Sequence, residues 1–262
     1  MGSATTQALA ATDAALATTK IGDLSIAQEL FLAARSISES SQLSSALSSW
    51  GIPGEARAGV AAQVFAGLQP ATVSLVTTAA AQRWSSLDDL VAGIEALAIR
   101  AASLAAPQVD VEGELFEVTR TVAANPELEL ALGSRLGEAS AKGKLIESIL
   151  GGRASEATTL IVSSLVQQPR ERRVRTLLNR ALRLVADQRG RTVATVYAAS
   201  PLDADQLTRL RASLASRYGA DVALNTVVDP GVLGGLRIEI GDDVIDATVS
   251  ARLHDLRQRL AG

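Results

Sequence analysis

The feature that most constrains this chain is that its sequence repeats itself. The segment that begins at Glu29, ELFLAARSISESSQLSSALSSW, aligns without a gap with ELFEVTRTVAANPELELALGSR, which begins at Glu114. We call the interval from Glu29 to Glu114 the repeat offset. The same offset places residues 58–82 on residues 143–167. Chance similarity between helices rich in Ala and Leu gives only scattered identities, so we interpret a fixed offset over this length as a duplication.

Each copy is predicted to be a bundle of short helices. Apolar residues recur at helical spacing, which leaves one apolar stripe on each helix. They are Leu30, Phe31, Ala34 and Ile37 in the first copy and Leu115, Phe116 and Val122 in the second. Helix breaks are expected at 50–54, 125–126 and 151–152, where Gly, Pro and Asn cluster. Since short breaks join antiparallel neighbours, the sequence predicts two tandem bundles that share the stretch 87–106.

After Gly190 the periodicity changes. Residues 192–199 are apolar on both faces, which is typical of a strand covered on both sides. Pro201 and Asp203 then open a helix that ends near Gly219. Further elements are expected as follows: strands at 222–228 and 236–240, a turn at 241–242 that leads into 244–245, and a last helix with Val249, Leu253, Leu256 and Leu260 on one face.

The predicted fold class is therefore α+β and predominantly α. Two related helical bundles in tandem, at 1–105 and 106–190, are followed by a small mixed α/β module at 191–262. Aromatic residues make up only 3% of the chain, so Ala, Leu, Val and Ile must fill the cores. Such small side chains favour closely packed helices.

Composition excludes several kinds of chemistry. The chain has no cysteine, which rules out disulfides, thiolate nucleophiles and zinc fingers. With His254 as its single histidine, the chain cannot form a multi-histidine metal site. There is no run of about 18 apolar residues, and the opening segment has no basic region of the kind that begins a secretory signal. We therefore expect no cofactor, no metal and no membrane insertion.

Positive charge is concentrated in residues 170–191, which carry 8 Lys and Arg against 2 Asp and Glu. Such a segment could contact nucleic-acid phosphates, form a solvated face, or dock an acidic helix. It has no interleaved aromatic residues and lies in a chain of net charge −3, so we do not expect a nucleic-acid partner. The carboxylates of Asp242, Asp243 and Asp246 could suggest a cation site, but Asp at a hairpin turn is ordinary and the spacing fits no calcium loop.

The C-terminal segment 229–260, DPGVLGGLRIEIGDDVIDATVSARLHDLRQRL, resembles the C-terminal signature of the delta subunit of bacterial F-type ATP synthases, the counterpart of mitochondrial OSCP. The signature positions are Gly234, Gly235, Gly241, Asp242, Asp246, Val249, Arg252, Leu253 and Leu256. The upstream segment 199–219 is also similar to the family. The helical part resembles the family's N-terminal bundle more loosely, and the second copy departs from the single bundle of the usual delta subunit.

This resemblance implies a non-catalytic stator subunit of the peripheral stalk. In the family, the helical domain grips the N-terminal helix of an alpha subunit of the catalytic head, and the C-terminal module holds the C-terminal region of the membrane-anchored b stalk, so that the head resists rotor torque. The implied location is the cytoplasmic face of the bacterial cell membrane. It implies no cofactor, no nucleic acid and no catalytic residue.

An Ala-rich bundle can offer a shallow apolar groove to an amphipathic helix. The candidate groove residues are Leu9, Leu16, Leu75 and Val76 in the first copy, and Leu160 and Ile161 at the same offset in the second. Each of them could instead belong to the internal core. Whether one copy or both copies bind an alpha subunit stays open at this level. The alternative function is a helical-repeat adaptor unrelated to ATP synthase, and a small-molecule enzyme is a remote third, because no titratable residues gather in the sequence.

Overall fold

The computed structural model describes residues 2–134, 137–170, 172–241, 243–251 and 253. It divides into two compact units, Met1–Leu184 and Val185–Gly262. The first unit is helical and the second contains a four-stranded sheet, which confirms the predicted α+β, predominantly α class. Within the described residues, no helix combines the length and the apolarity that a membrane crossing requires.

Short helices fill the first unit. They are α1 (Ser3–Thr18), α2 (Ser25–Glu39), α3 (Ser41–Ser48), α4 (Gly54–Val64), α5 (Pro70–Ala81), α6 (Leu87–Ala105), α7 (Val111–Ala124), α8 (Pro126–Gly133), α9 (Ala139–Leu150) and α10 (Glu156–Gln167), and α11 (Val174–Gln188) begins there. Side-chain caps fix several starts: Ser86 accepts a hydrogen bond from the backbone N–H of Asp89, and Ser155 accepts one from that of Thr158. The three predicted breaks all coincide with helix boundaries, and Gly54 and Pro126, at the ends of two of them, are the first residues of α4 and α8.

The helix bounds pair up along the chain. Helices α3 and α8 begin at Ser41 and Pro126, which are separated by the repeat offset itself. Helices α5 and α10 begin at Pro70 and Glu156, an interval that is longer by a single position. The extra residue lies in α9, which has 12 residues where α4 has 11. The ungapped alignment is therefore wrong by one position in α10.

Burial follows the corrected pairing. Leu75 and Val76 are buried in α5, and Ile161 and Val162 are buried in α10, whereas Leu160 is only half-buried. The structural counterpart of Leu75 is thus Ile161 and not Leu160. A single inserted residue rotates every later side chain of a helix by about 100°, because an α-helix has about 3.6 residues per turn.

Helix α6 has two counterparts. Its first residue, Leu87, follows the start of α1 at Ser3 by nearly the repeat offset, and it precedes the start of α11 at Val174 by a similar interval. Helix α6 is therefore the last helix of a six-helix set, α1–α6, and the first helix of a second six-helix set, α6–α11. The predicted boundary at 105/106 lies at the end of this shared helix, inside the first compact unit. The division of the chain into domains 1–105, 106–190 and 191–262 stays a prediction.

Helix α6 is also the centre of the helical core. Leu90, Ile94 and Leu97 are each at most 1% exposed, and α2 packs along the helix. Its contacts with α1, α3, α5 and α10 explain why most of its alanines are buried. A helix that is buried on most of its sides is stable only when neighbours surround it.

Gly93 gives a sharp test of this packing. A Cβ added at Gly93 would overlap the indole ring of Trp84, which is 5% exposed and donates to the Ala79 carbonyl at 2.8 Å. Replacing a mid-helix Gly with Ala normally stabilises a protein by up to about 1 kcal/mol. Here we expect Gly93→Ala to lower the free energy of unfolding by about 1–3 kcal/mol, because the ring must move out of a packed core.

Urea unfolding and Trp fluorescence measure this effect, since a displaced Trp84 should emit at longer wavelength. The matched control is Gly59→Ala in α4, where an added Cβ meets nothing within 4 Å. That variant should be more stable than the parent by about 0.5–1 kcal/mol. Stabilisation by both substitutions would contradict the packing described for Trp84.

The second unit contains β1 (Arg191–Ala198), α12 (Ala204–Tyr218), β2 (Asp221–Val228), β3 (Leu236–Ile240) and β4 (Asp243–Asp246). The strand order is β2-β1-β3-β4, with β1 parallel to β2 and the other pairs antiparallel. Helix α12 begins with a capping box between Asp203 and Gln206 and ends at Gly219, which has φ 70°. The predicted order of elements is confirmed through β4.

One prediction for this unit is wrong. Strand β1 was expected to be covered on both faces, but only one face, with Ala194, Val196 and Ala198, is fully buried. Thr195 and Tyr197 on the opposite face are half-buried. The buried face packs in a core with Leu214 of α12 and residues of β2 and β3. The prediction failed because a run of β-branched and Ala residues does not show whether one face of a strand is covered or both. The predicted last helix falls mostly outside the described residues.

Candidate functional site

Most of the candidate groove residues are core residues. Leu16, Leu75, Val76 and Ile161 are each at most 1% exposed. A side chain with no exposed area cannot line a groove, so this part of the prediction is corrected. The apolar residues at helical spacing identified the side of each helix that faces the core, and not the side that faces outward.

The two remaining candidates are half-buried. Leu9 shares one flank of α1 with Asp13, four residues on, and Asp13 forms an ion pair at 3.1 Å with Arg100 of α6. Leu9 therefore borders α6. Leu160 lies at the half-buried surface of α10.

The first copy does expose an uncharged seam, between α1 and α5, which pack against each other. Since Asp13 identifies the α6 flank of α1, the opposite flank borders α5. That flank is a stripe of small or uncharged residues at i, i+3, i+7, i+10 and i+14: Ala4, Gln7, Ala11, Ala14 and Thr18. All five are half-buried or exposed. We call this surface, together with the outward residues of α5, the α1/α5 seam.

Helix α5 contributes no charge to the seam. Its sequence is PATVSLVTTAAA, and its outward residues include Val73, Ser74, Thr77 and Thr78. An exposed helix face without charged residues is unusual in a soluble protein, where the outward face normally carries them. The seam is thus an uncharged side of the first copy.

Charged residues instead fix the two ends of α5. Glu29 of α2 accepts hydrogen bonds from the backbone N–H of Gln69 at 3.1 Å and from the Thr72 hydroxyl, at the N-terminus of α5. A carboxylate is stabilised there by the unpaired N–H groups of the first turn. Arg57 of α4, only 4% exposed, donates to the carbonyls of Ala80, Ala81 and Gln82 at the C-terminus, and to that of Ile52.

The second copy has the corresponding groups. Glu114 accepts from the Ser155 N–H at 3.1 Å and hydroxyl at 2.6 Å, at the N-terminus of α10. Lys142 occupies the position of Arg57 in the second copy, is buried, and donates to the Ser134 carbonyl. Sequence reasoning missed these roles, although Glu29 and Glu114 are the first residues of the two aligned segments.

The basic segment contributes to internal ion pairing. Glu95 lies on α6 with a side chain only 4% exposed, and three guanidinium groups converge on it: Arg170, Arg172 at 3.1 Å and Arg180 at 3.5 Å. Burial lowers the pKa of Arg180 to about 10, so this group is still charged at neutral pH, and burial also lowers the pKa of Arg170. These three arginines thus form neither a solvated face nor a phosphate-binding stripe. The sequence signal that was missed is a lone Glu within the apolar helix LVAGIEALAI.

The C-terminal signature residues meet at the base of the β3–β4 hairpin. Gly235 has φ 78°, and an added Cβ would overlap the Ala247 carbonyl, so only glycine fits there. The Val249 N–H donates to the Gly234 carbonyl at 3.2 Å. Asp246 accepts from the Thr248 N–H at 3.0 Å, and hydrogen bonds from Thr248 lower its pKa.

These contacts position the segment that follows the sheet, in which Val249 and Leu253 are about half exposed. Gly241, with φ 57°, forms the turn between β3 and β4. Asp242, Arg252, His254 and Leu256 lie outside the described residues. Within the described part of the chain, no three His, Cys, Asp or Glu residues are placed to hold a metal ion.

Comparison with known proteins identifies the family. The sequence profile of the family described as ATP synthase delta (OSCP) subunit matches residues 96–260. The ATP synthase subunit delta of Leifsonia xyli subsp. xyli (strain CTCB07) is 47% identical, and the match covers 100% of both chains. The subunit delta of Streptomyces griseus subsp. griseus is 40% identical, again over 100% of both chains.

A chain in the cryo-EM structure of the Toxoplasma gondii mitochondrial ATP synthase hexamer is 23% identical, with a TM-score of 0.38; the match covers 64% of this chain and 97% of that one. At that TM-score the likeness adds nothing to the assignment. The family profile covers more than half of the chain, and the bacterial relatives match it from end to end. The chain therefore belongs to the ATP synthase delta (OSCP) subunit family and is a peripheral-stalk subunit of ATP synthase.

Proposed function

We propose that this subunit binds the N-terminal helix of an alpha subunit in the α1/α5 seam and the C-terminal region of a b-type stalk subunit through its second unit. It would thereby tie the catalytic head to the membrane-anchored stalk, at the cytoplasmic face of the bacterial membrane, without a catalytic role of its own. The observation that carries the proposal is the uncharged, outward-facing seam between two packed helices.

The chemistry of the seam suits a helix. Ala4, Ala11 and Ala14 leave a shallow surface, because their side chains extend only to Cβ. Two helices approach closely when the residues between them are small, and an amphipathic helix then fills the space with its larger side chains. The Glu29 and Arg57 contacts hold α5 in place at both ends, so the surface is formed before the partner arrives. A preformed surface loses less conformational entropy on binding.

The second unit offers a separate apolar surface. Leu233 is 68% exposed, Val249 48% and Leu253 52%. Val249 and Leu253 are four residues apart and so lie on one face of the helical segment that begins there. Exposed large apolar residues that gather near each other commonly mark a protein interface. This surface supports the contact with the stalk.

Calorimetric titration of the full chain with a peptide that covers the N-terminal helix of the cognate alpha subunit tests the seam. Ala14→Arg should weaken binding by at least about tenfold, since a guanidinium would have to be buried without a partner. The matched control is Ala56→Arg, an exposed alanine of α4, which should bind like the parent chain. Equal affinity of the parent and Ala14→Arg would place the peptide elsewhere.

The same variants can be titrated with the C-terminal segment of the cognate b subunit. Ala14→Arg should then bind as tightly as the parent, because the two contacts are proposed to lie on different units. A loss of binding to both ligands would point to a damaged fold, which circular dichroism of the variant would reveal.

A further inference from the structure

An open cleft lies in the second copy, between α8 and the start of α11. Its volume is about 440 Å³. One face of α8 lines it, with Pro126, Glu129, Leu130 and Gly133 at i, i+3, i+4 and i+7. The opposite wall is formed by residues 169 and 172–175, which lead into α11. We call this space the α8/α11 cleft.

The two walls of the cleft are in contact with each other. Arg175 of α11 forms an ion pair with Glu129 of α8 at 3.0 Å. A Cβ added at Gly133 of α8 would lie 3.9 Å from the side chain of Val174. These contacts join α8 to α11, so the cleft has a defined shape before any partner binds.

The α8/α11 cleft is positively charged. Among the described residues that line it, Arg172, Arg173 and Arg175 carry guanidinium groups, and Glu129 carries the one carboxylate. Arg175 already pairs with that carboxylate. Arg173 is exposed, and no ion pair within the described chain engages it. The cleft therefore has more positive charge than its own residues neutralise.

Arg172 has a carboxylate partner but shares it. Glu95 also pairs with Arg170 and lies 3.5 Å from Arg180, while the exposed Asp88 is 3.7 Å from Arg170. Burial lowers the pKa of Arg180 to about 10, and repulsion from Arg172 and Arg170 contributes to the decrease. Positive charge is thus in excess around Arg172, and a further carboxylate would be stabilised there.

An exposed apolar side chain lies beside these charges. With 75% of its surface exposed, Leu130 is the most exposed large apolar residue of the described chain. Because α3 and α8 begin one repeat offset apart, the counterpart of Leu130 is Ser45, which is also exposed. The second copy therefore has an apolar residue on this surface where the first copy has a polar one.

The corresponding place in the first copy is closed. It lies between α3, the counterpart of α8, and the linker 82–86 that joins α5 to α6. Leu47 of α3 and Trp84 of this linker line a cavity of only about 10 Å³, and Trp84 is 5% exposed. The linker of the second copy, 168–173, has three arginines and no aromatic residue. The opening is thus a property of the second copy and not of the bundle fold that both copies share.

We propose that the α8/α11 cleft binds an acidic amphipathic segment of a partner protein, whose carboxylates pair with Arg172 and Arg173 and whose apolar side chain packs on Leu130. Guanidinium groups bind carboxylates with two parallel hydrogen bonds. A nucleic-acid backbone would supply the negative charge but not the apolar contact, so Leu130 favours a protein segment. The cleft lies in the second copy and the α1/α5 seam in the first, so the two sites are independent of each other.

Photo-cross-linking in the assembled ATP synthase tests the cleft. Replacing Leu130 with photoreactive benzoylphenylalanine should join the chain covalently to another subunit, and mass spectrometry should find a pair of Asp or Glu residues within about two helical turns of the attachment point. The matched control has the same replacement at Ser45 and should give no such product. A product with nucleic acid, a product with a segment that has no carboxylates, or the absence of a product would overturn the proposal.

Charge reversal then tests the role of Arg173. In the complex that carries the photoreactive residue, Arg173→Glu should lower the yield of the product by at least about fivefold, because like charges would face each other. Arg173 directly precedes α11, where a carboxylate favours the helix, so this variant should keep its fold.

The matched control for this variant is Arg183→Glu. Arg183 is an exposed residue of α11 that does not line the cleft, so the same change of charge should leave the yield unchanged. Equal yields from Arg173→Glu and Arg183→Glu would overturn the proposed pairing. Neither variant alters the α1/α5 seam, so both should bind the alpha-subunit peptide as the parent chain does.

Discussion

Replacing Glu95 with Ala is expected to lower the free energy of unfolding by about 3–5 kcal/mol. The carboxylate is nearly buried, and Arg170, Arg172 and Arg180 all direct guanidinium groups at it. Removing one partner of a buried charge cluster leaves the others desolvated and mutually repulsive, which costs more than the original pairing contributed. Urea unfolding followed by far-UV circular dichroism measures the change.

The control for this variant is Glu117→Ala in α7. Glu117 also pairs with an arginine, Arg120 at 3.5 Å, but its side chain is 67% exposed. Water screens such a pair, so its removal should cost less than about 1 kcal/mol. If Glu95→Ala were as mild as Glu117→Ala, the convergence of three arginines on α6 would be wrong.

The second large effect is expected for Arg57→Met. Arg57 donates four hydrogen bonds to backbone carbonyls, three of them at the C-terminus of α5. Methionine keeps most of the side-chain volume but cannot donate, so these buried carbonyls lose their partners and α5 loses a cation at the negative end of its dipole. We expect a loss of about 3 kcal/mol in the free energy of unfolding.

Arg83→Met is the matched control. Arg83 is exposed, and its guanidinium lies 5.9 Å from the ring centroid of Trp50, itself 66% exposed. A cation–π contact in water contributes about 0.5–1 kcal/mol. A loss of that size in both variants would contradict the capping role of Arg57. Since α5 forms half of the proposed seam, Arg57→Met should also bind the alpha-subunit peptide more weakly than Arg83→Met does.

The resemblance recognised in the C-terminal signature is confirmed, and the assignment to the peripheral stalk follows from it. An adaptor unrelated to ATP synthase is accordingly not favoured. The signature could be recognised because its glycines are required by local backbone geometry. Gly235 has no room for a side chain beside Ala247, and Gly241 forms the turn between two strands. Because these requirements involve only neighbouring residues of the hairpin, the same glycines are needed at the same spacing in any chain that forms it.

The groove was harder to predict for a physical reason. Leu16, Leu75 and Ile161 are the most apolar residues of their helices, and the hydrophobic effect places such residues in the core. The surface that we propose to bind a helix is instead made of small and uncharged residues, such as Ala14, which leave little trace in the periodicity of the sequence. The role of Glu95 was hidden for a related reason, since the arginines that pair with it lie on a distant segment of the chain.

The sequence by itself determined the fold class, the order of helices and strands through β4, the helix breaks and the family, because each depends on periodicity, caps and turns within a few residues. Only the tertiary structure decided that α5 and α10 pair one position beyond the repeat offset, that α6 is central to the helical core, and that three arginines converge on Glu95. Those features depend on which helices touch, and burial by a distant segment leaves no local mark: Glu95 is 3% exposed, although the arginines that pair with it lie far along the chain.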